Sequence, residues 1–151
     1  MALDAQTQEL ADQLDIRNLI SRYCWAIDKN DRELFGKVFL PDATAHLGSP
    51  LLEGIDAIWA RIRVALGPLD DSQHITGSHL IELNGDTATS RVYLFAQHIR
   101  RDAKKGPHYV VAAEYLDDLV RTNEGWRIKY RIINPIWTEG NRGVVAPDFD
   151  N

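Results

Sequence analysis

The sequence predicts an α+β fold in which a curved, mostly antiparallel sheet wraps around N-terminal helices. Apolar residues recur at steps of three and four in the first third of the chain, which is the period of an amphipathic helix. After about residue 74 the period changes to two, as in strands. The 151 residues, 44% of them hydrophobic, are expected to form one domain, because this length is typical of a single domain.

Three helices are expected in the first half of the chain. The first carries an apolar stripe from Leu10 to Ile27. A second, short helix follows Asp31, a residue type that favours helix N-caps, and ends at Pro41. A short strand is expected over 43–47. The third helix follows Gly54.

Two pairs of strands follow. The first pair covers 75–83 and 87–98 and flanks Asn84-Gly85, two residues that tolerate the positive φ of a tight hairpin turn. The second pair covers 109–120 and 126–137. These strands are long for a flat sheet, so we expect the sheet to curve around the first helix.

Composition excludes several classes of protein. Lys and Arg number 17 against 22 Asp and Glu, a formal net charge of -5, which argues against a nucleic-acid binder. The first residues lack the basic start and apolar run of a signal peptide, and no stretch is apolar enough to span a membrane. A single cysteine cannot form an internal disulfide. We therefore expect a cytoplasmic protein with a small-molecule ligand and no membrane or nucleic-acid partner.

Asp28 and His74 are the first candidates for chemistry. Asp28 ends the first helix, where the helix dipole disfavours a carboxylate, and His74 opens the first long strand. Alternation along that strand puts His74 and Ser78 on one face and His79 on the other. If the helix lies inside the curved sheet, Asp28 and His74 can meet, and a carboxylate-held imidazole is a general base near neutral pH. The alternatives are a solvated helix end and a structural histidine.

Aromatic side chains and one arginine are candidates for substrate contact. Tyr23, Tyr93 and Tyr115 can donate phenolic hydrogen bonds, and Trp25 can supply an apolar wall. Packing in the core is the alternative for all of them. Arg131 lies within the last strand, so it either pairs with an internal carboxylate or binds substrate.

The sequence contains no cofactor or metal motif. His98 and His108 stand on either side of one loop, but no two histidines have metal-ligand spacing and no Cys-x-x-Cys accompanies them. A phosphate-binding loop, a nucleophile elbow and a dinucleotide fingerprint are also missing from the sequence. We expect no cofactor.

A set of short segments follows in a characteristic order along the chain: Leu19-Ile20-Ser21-Arg22-Tyr23, Asp28-Lys29-Asn30-Asp31, Phe39-Leu40-Pro41-Asp42-Ala43, Glu53-Gly54, Gln73-His74, Tyr115 and Gly125-Trp126-Arg127-Ile128. In this order and spacing they resemble the SnoaL-like branch of the NTF2-like superfamily from Gln8 to Trp137. The chain is most similar to scytalone dehydratase and the related hexachlorocyclohexane dehydrochlorinase and bile-acid dehydratase enzymes.

The resemblance implies a cone-shaped α+β barrel with an Asp–His dyad. The dyad positions match Asp28 and His74, and the second active-site histidine of scytalone dehydratase matches His98 across a one-residue gap. These relatives are commonly trimers, so a homo-oligomer is expected, a trimer rather than a dimer.

Three positions depart from the scytalone dehydratase pattern. A tyrosine precedes the dyad aspartate in that family, where this chain has Ile27. A second, substrate-polarising tyrosine aligns with Leu47, and a pocket asparagine aligns with Tyr115. The base is kept while the oxygen-polarising groups differ, so scytalone itself is not the expected substrate.

Together the residues and the resemblance predict a cofactor-independent lyase acting on a small hydrophobic, cyclic or aromatic substrate. His74, activated by Asp28, would remove a proton next to a carbonyl, and His98 or a tyrosine would protonate the departing hydroxyl. The alternatives are an isomerase or cyclase using the same base, and a non-catalytic ligand-binding or partner subunit like the β subunit of ring-hydroxylating dioxygenases. A closed pocket with the dyad in hydrogen-bond contact favours catalysis.

Overall fold

The computed structural model describes residues 4–149, in which helices come first and long strands follow. The elements in chain order are α1 (Ala5–Asp28), α2 (Arg32–Phe35), β1 (Phe39–His46), β2 (Leu52–Glu53), α3 (Ile55–Leu66), β3 (Asp71–Asn84), β4 (Thr87–Ile99), β5 (His108–Thr122), β6 (Gly125–Gly140) and the 3-10 helices Arg142–Val144 and Pro147–Phe149. The predicted α+β class is confirmed.

The strands form one six-stranded sheet in the order β2-β1-β6-β5-β4-β3 within the described residues. All neighbouring pairs are antiparallel except β1 and β6, which run parallel. α1 packs on the inner face of this curved sheet, mainly against β3 and β6. Its buried residues, among them Leu19, Ile20 and Tyr23, meet Val92 and Tyr115 in the core.

α2 and α3 begin where the sequence predicted helix starts. Asp31 caps α2 by accepting a hydrogen bond from the Leu34 amide at 2.9 Å, and Gly54 precedes α3 with a φ of 87° that favours glycine. α1 is longer than its apolar stripe because Asp4 caps it through the amide of Thr7. No helix within residues 4–149 is long and apolar enough to cross a membrane.

The predicted hairpin between β3 and β4 is confirmed, with its turn one position later than expected. Asn84 pairs with Thr87, so the turn residues are Gly85 and Asp86, and Gly85 has a φ of 62°. Glycine at the first turn position suits the twist of two-residue hairpins.

A bulge in β3 overturns the simple alternation expected for that strand. The register with β4 shifts between Gly77 and Leu80, and Ser78 has a φ of 53°. One extra residue reverses the direction of those that follow. His79 is therefore partly buried and Ser78 exposed, the reverse of the expectation from strict alternation.

The strand expected over 43–47 begins earlier than predicted. β1 starts at Phe39 and includes Pro41, the residue predicted to end the preceding helix. Its pairing with β6 is irregular between Phe39 and Thr44. Proline lacks an amide donor and is tolerated in a sheet where the ladder is interrupted in this way.

Candidate active site

A cavity of about 220 Å³ opens between α3 and the inner face of the sheet. Buried side chains that form its floor include Tyr23, Ile27 and Tyr115. Lining residues that reach solvent, Gly48, Pro135 and Thr138 among them, mark its mouth. Val145, in the tail beyond β6, also lines it.

Asp28 and His74 meet at one side of this cavity. Nδ1 of His74 lies 2.6 Å from Oδ1 of Asp28, and the backbone amide of His74 donates to Oδ2 at 2.8 Å. The Ser72 hydroxyl donates to Oδ1 at 2.7 Å. Only 10% of the Asp28 side chain and 6% of the His74 side chain is exposed. The end of α1 and the start of β3 thus bring together two residues that are 46 positions apart.

The hydrogen bonds determine which nitrogen of His74 is free. Burial alone would raise the pKa of Asp28, but the hydrogen bond and charge of His74, with help from Ser72, lower it below the ordinary value. An ionised carboxylate only accepts hydrogen bonds, so Nδ1 of His74 carries the hydrogen. In the neutral form of the ring the lone pair is therefore on Nε2, and His74 is one of the residues that line the cavity.

His98 is held as a neutral hydrogen-bond acceptor. Its ring lies 5.4 Å from that of His74 between centroids, and its Nδ1 lies 3.1 Å from the carbonyl oxygen of Tyr109. A carbonyl oxygen accepts, so Nδ1 carries the hydrogen and Nε2 the lone pair. Burial, together with the nearby His74, lowers the pKa of His98 to about 4. At neutral pH this ring accepts a hydrogen bond at Nε2 and has no proton there to donate.

The dyad separates the cavity from a second, more polar cleft on the outside of the molecule. This cleft, about 500 Å³ in volume, is lined by Asp28, Ser72, Trp25 and Lys29. His74 borders both spaces. The carboxylate end of the dyad therefore faces the outer cleft and the imidazole faces the apolar cavity.

Tyr23 and Tyr115 lie in the cavity wall as expected, whereas Arg131 lies behind them. The Arg131 guanidinium is fully buried and donates to Asp117 through Nε at 2.6 Å and Nη2 at 2.7 Å. It also stacks on both phenol rings, 4.2 Å from the centroid of Tyr23 and 4.1 Å from that of Tyr115. The sequence left Arg131 open between an ion pair and a substrate ligand; here it forms the ion pair and does not line the cavity.

Trp25 and Tyr93 lie outside the cavity, contrary to the prediction that they contact substrate. Trp25 is 63% exposed beside the outer cleft, and Tyr93 is 57% exposed on the outer face of the sheet. Alternation along β4 explains the second case, because Leu94 points inward and its neighbour must point outward.

Sequence reasoning identified some of the residues that line the cavity and missed others. Ile27, Leu47 and Tyr115, the positions that depart from the scytalone dehydratase pattern, all line the cavity. Tyr109 and Arg61 also line it and were missed. Arg61 lies next to the apolar stripe of α3, and no motif marks it. Within residues 4–149, no three His, Cys, Asp or Glu side chains are grouped so that they could hold a metal ion.

A family model described as a SnoaL-like domain matches residues 8–132. An uncharacterized protein of Mycobacterium tuberculosis is 33% identical over 128 residues, which cover 82% of this chain and 85% of that protein.

Solved structures with the same fold include two named for elimination enzymes. A candidate scytalone dehydratase from Novosphingobium aromaticivorans has a TM-score of 0.79 at 20% identity, covering 89% of this chain and 91% of that one. The hexachlorocyclohexane dehydrochlorinase LinA-type3 from Novosphingobium barchaimii has a TM-score of 0.80 at 15% identity, covering 93% and 97%. At these identities the likeness concerns the fold, and it agrees with the expected cone-like architecture. The family match, which spans residues 8–132, places this chain in the SnoaL-like family.

Proposed function

We propose that the protein is a lyase that removes water from a small cyclic hydroxy ketone, with His74 as the general base and Asp28 as its partner. The observation that carries this proposal is the 2.6 Å contact between Nδ1 of His74 and Asp28 at the edge of an apolar cavity. The family match and the neighbours named for dehydratase and dehydrochlorinase activity support the same reaction class.

The proposed elimination needs one base and no external proton. Nε2 of His74 takes the proton from the carbon next to the carbonyl, and the electrons of that bond form an enolate. The enolate collapses, a carbon–carbon double bond forms, and the bond to the neighbouring hydroxyl breaks. The proton on His74 passes to the departing hydroxyl, which leaves as water, and His74 returns to its neutral form.

The two tyrosines and His98 have different hydrogen-bonding roles toward the substrate. Burial raises the pKa of Tyr23 and, to a greater extent, that of Tyr115, so both phenols stay protonated. Their hydroxyls are hydrogen-bonded to each other, so one of the two hydrogens is left to donate to the enolate oxygen. Nε2 of His98 accepts a hydrogen bond, so His98 orients the substrate hydroxyl. The sequence-based alternative that His98 protonates the leaving group is replaced by proton return from His74.

The cavity volume limits the substrate. An apolar cavity of about 150 Å³ accommodates benzene. The 220 Å³ available here suits one ring with a few substituents. Substrates much larger than one substituted ring exceed this volume.

The test combines a panel of substrates with a general assay for proton removal from carbon. Monocyclic hydroxy ketones are incubated with the protein and followed for water loss by mass spectrometry. In parallel, ring opening of a nitrobenzisoxazole, which requires only removal of a carbon-bound proton, is compared with the rate in free imidazole. We expect His74→Ala and Asp28→Asn to lower both rates by about 10²–10⁴-fold.

His108→Ala is the matched control, because His108 is exposed and lies outside the cavity. Its rates should equal those of the wild type. Unchanged rates in His74→Ala, or a wild type no faster than imidazole, would overturn the proposed base. Exchange of the substrate proton with deuterated water without water loss would instead favour the isomerase alternative.

A further inference from the structure

Arg61 brings a positive charge to a cavity that is otherwise apolar or uncharged. α3 points Ile58, Ile62 and Leu66 into the core at intervals of four residues. Arg61 and Ala65 stand one position earlier on the helix and line the cavity. Arg61 is partly buried and lines the cavity together with the exposed Gly48 at its mouth.

Arg61 has no partner among the described residues, unlike comparable arginines nearby. Arg63 on the same helix donates to the carbonyl of Ile27 at 3.1 Å and stacks on Trp59. The buried Arg131 is held by a carboxylate. For Arg61, residues 4–149 provide no ion pair, hydrogen bond or ring contact, and none of the residues lining the cavity is an aspartate or glutamate.

An arginine in this position is suited to one class of ligand. The guanidinium presents planar, paired donors that match a carboxylate and remains charged at all physiological pH values. A partly buried charge without a partner is costly, and an anion brought by the ligand removes that cost. The rest of the wall, including Ile62, Ala96 and Val111, suits an apolar ring.

We infer that the cavity takes a monocyclic carboxylic acid, whose carboxylate is bound by Arg61 at the mouth while its ring extends toward His74 and His98. The inference rests on the proposed function only for the reaction that the bound ring undergoes. Binding of the acid depends on the cavity and on Arg61 and needs no reaction. A neutral ring of the same shape would bind more weakly.

The experiment compares benzoate with benzamide, which has nearly the same shape and no charge. Dissociation constants are measured by NMR titration of the wild type, with the ring resonances of His98 and Tyr115 reporting entry into the cavity. We expect benzoate to bind at least about tenfold more tightly than benzamide, since a hydrogen bond to a charged group is typically worth that much. Added salt should reduce the preference.

Two variants that each remove one positive charge distinguish binding at Arg61 from a general attraction between the protein and an anion. Arg61→Gln should abolish the preference for benzoate and leave benzamide binding unchanged. Arg22→Gln removes a charge from the exposed side of α1 and should keep the preference.

The inference is overturned if the wild type binds both compounds equally, if it binds no benzoate, or if Arg61→Gln binds benzoate like the wild type. Titration of His74→Ala keeps this result apart from the proposed function. The preference for benzoate should persist in this variant, because binding needs no base. If the wild type prefers benzoate but eliminates water from no hydroxy ketone, the proposed reaction is wrong and the acid site stands.

Discussion

Asp28 receives three hydrogen bonds from one short stretch of β3, and this arrangement explains how a carboxylate stays ionised at the C-terminal end of a long helix. The helix dipole and burial both disfavour the anion there. The amide and ring of His74 and the hydroxyl of Ser72 offset that cost, and the pKa of Asp28 is lowered overall. Ser72 is the donor of the three that does not belong to the dyad.

Ser72→Ala should therefore weaken the base without changing the cavity. The carboxylate loses one of the donors that fix its plane, and water from the outer cleft can reach Oδ1. We expect kcat for nitrobenzisoxazole opening to fall about tenfold while KM stays the same, as for loss of a hydrogen bond to a charged group.

Ser72→Thr is the matched variant, because it keeps the hydroxyl, and it should restore most of the rate. Steady-state kinetics across pH provide the measurement. An Ala variant with wild-type kcat at every pH would show that Ser72 does not position Asp28.

His98 makes the stability of the fold depend on pH in a defined window. Folding holds the pKa of His98 at about 4, below the ordinary 6.5, so the folded chain resists a proton that the unfolded chain accepts. The stabilisation is complete above pH 6.5 and is lost as the pH falls toward 4. It amounts to about 3 kcal/mol.

His98→Gln removes this titration, so its free energy of unfolding should change less between those two pH values than that of the wild type. Urea unfolding followed by tryptophan fluorescence measures both. Parallel pH curves for the two proteins would contradict the prediction.

At the scale of elements, two carboxylates of α1 attach the helix to the sheet. Asp28, the last residue of α1, binds β3. Asp12, in the N-terminal half of the helix, accepts hydrogen bonds from Nη1 and Nη2 of Arg121 on β5, at 2.6 and 2.7 Å, and one from the Trp126 indole on β6 at 3.1 Å. Arg121 also stacks on Trp126. The two anchors hold the helix in the register that places Asp28 against His74.

Asp12→Asn should lower the free energy of unfolding by about 2 kcal/mol, because it removes the carboxylate that accepts from both Nη atoms of Arg121 and leaves the guanidinium with only Asp86, at Nε. Hydrogen bonds from Arg121, acting against burial, lower the pKa of Asp12 to about 2. The contribution is therefore present above pH 3.8 and lost as the pH falls toward 2. Thermal unfolding in acid measures it.

Asp15→Asn, on an exposed position of the same helix, is the control and should unfold like the wild type. Equal stability of the Asp12 variant and the control would show that the anchor contributes nothing.

The elements that the sequence predicted well are those determined by local chemistry. Asp31 caps a helix because its side chain reaches the backbone three residues on, and Gly85 makes a turn because it tolerates positive φ. The direction of a side chain after a bulge depends on pairing with another strand. Strict alternation therefore misplaced Ser78 and His79.

In the candidate site, too, residues whose place depends on the tertiary fold were harder to predict than those marked by a pattern. The contact between Asp28 and His74 was predicted, because the resemblance supplied a long-range pairing that local patterns lack. Arg61 was missed, since its place at the cavity depends on how α3 packs against the sheet. Tyr93 was misplaced for a related reason: an aromatic residue on a strand occupies either face, and only its neighbours in the fold decide which.

At the scale of the whole molecule, the solvent-exposed face of the sheet is unusually apolar. Its inner face encloses the cavity, while its outer face exposes Ile75, Tyr93, Phe95, Ile136 and Trp137 together, each at least 39% exposed. Clustered apolar side chains of this size on a soluble protein mark a contact surface. Homo-oligomerisation, expected from the sequence, remains a prediction, and this face is the surface we propose for it.

We propose a second copy of the chain as the partner for this face, because in a symmetric contact the same apolar side chains of the two copies cover one another. No unpaired charge opposes such a contact at Arg91, whose exposed side chain donates to the buried Glu114 at 2.7 Å. Tyr93→Lys combined with Trp137→Lys places like charges across such a contact. We expect the wild type to sediment as an oligomer and this variant as a monomer with an unchanged circular dichroism spectrum. Trp25→Lys, equally exposed but on α1, should leave the mass unchanged. A monomeric wild type, or a double variant that keeps the oligomeric mass, would rule out this face as the contact.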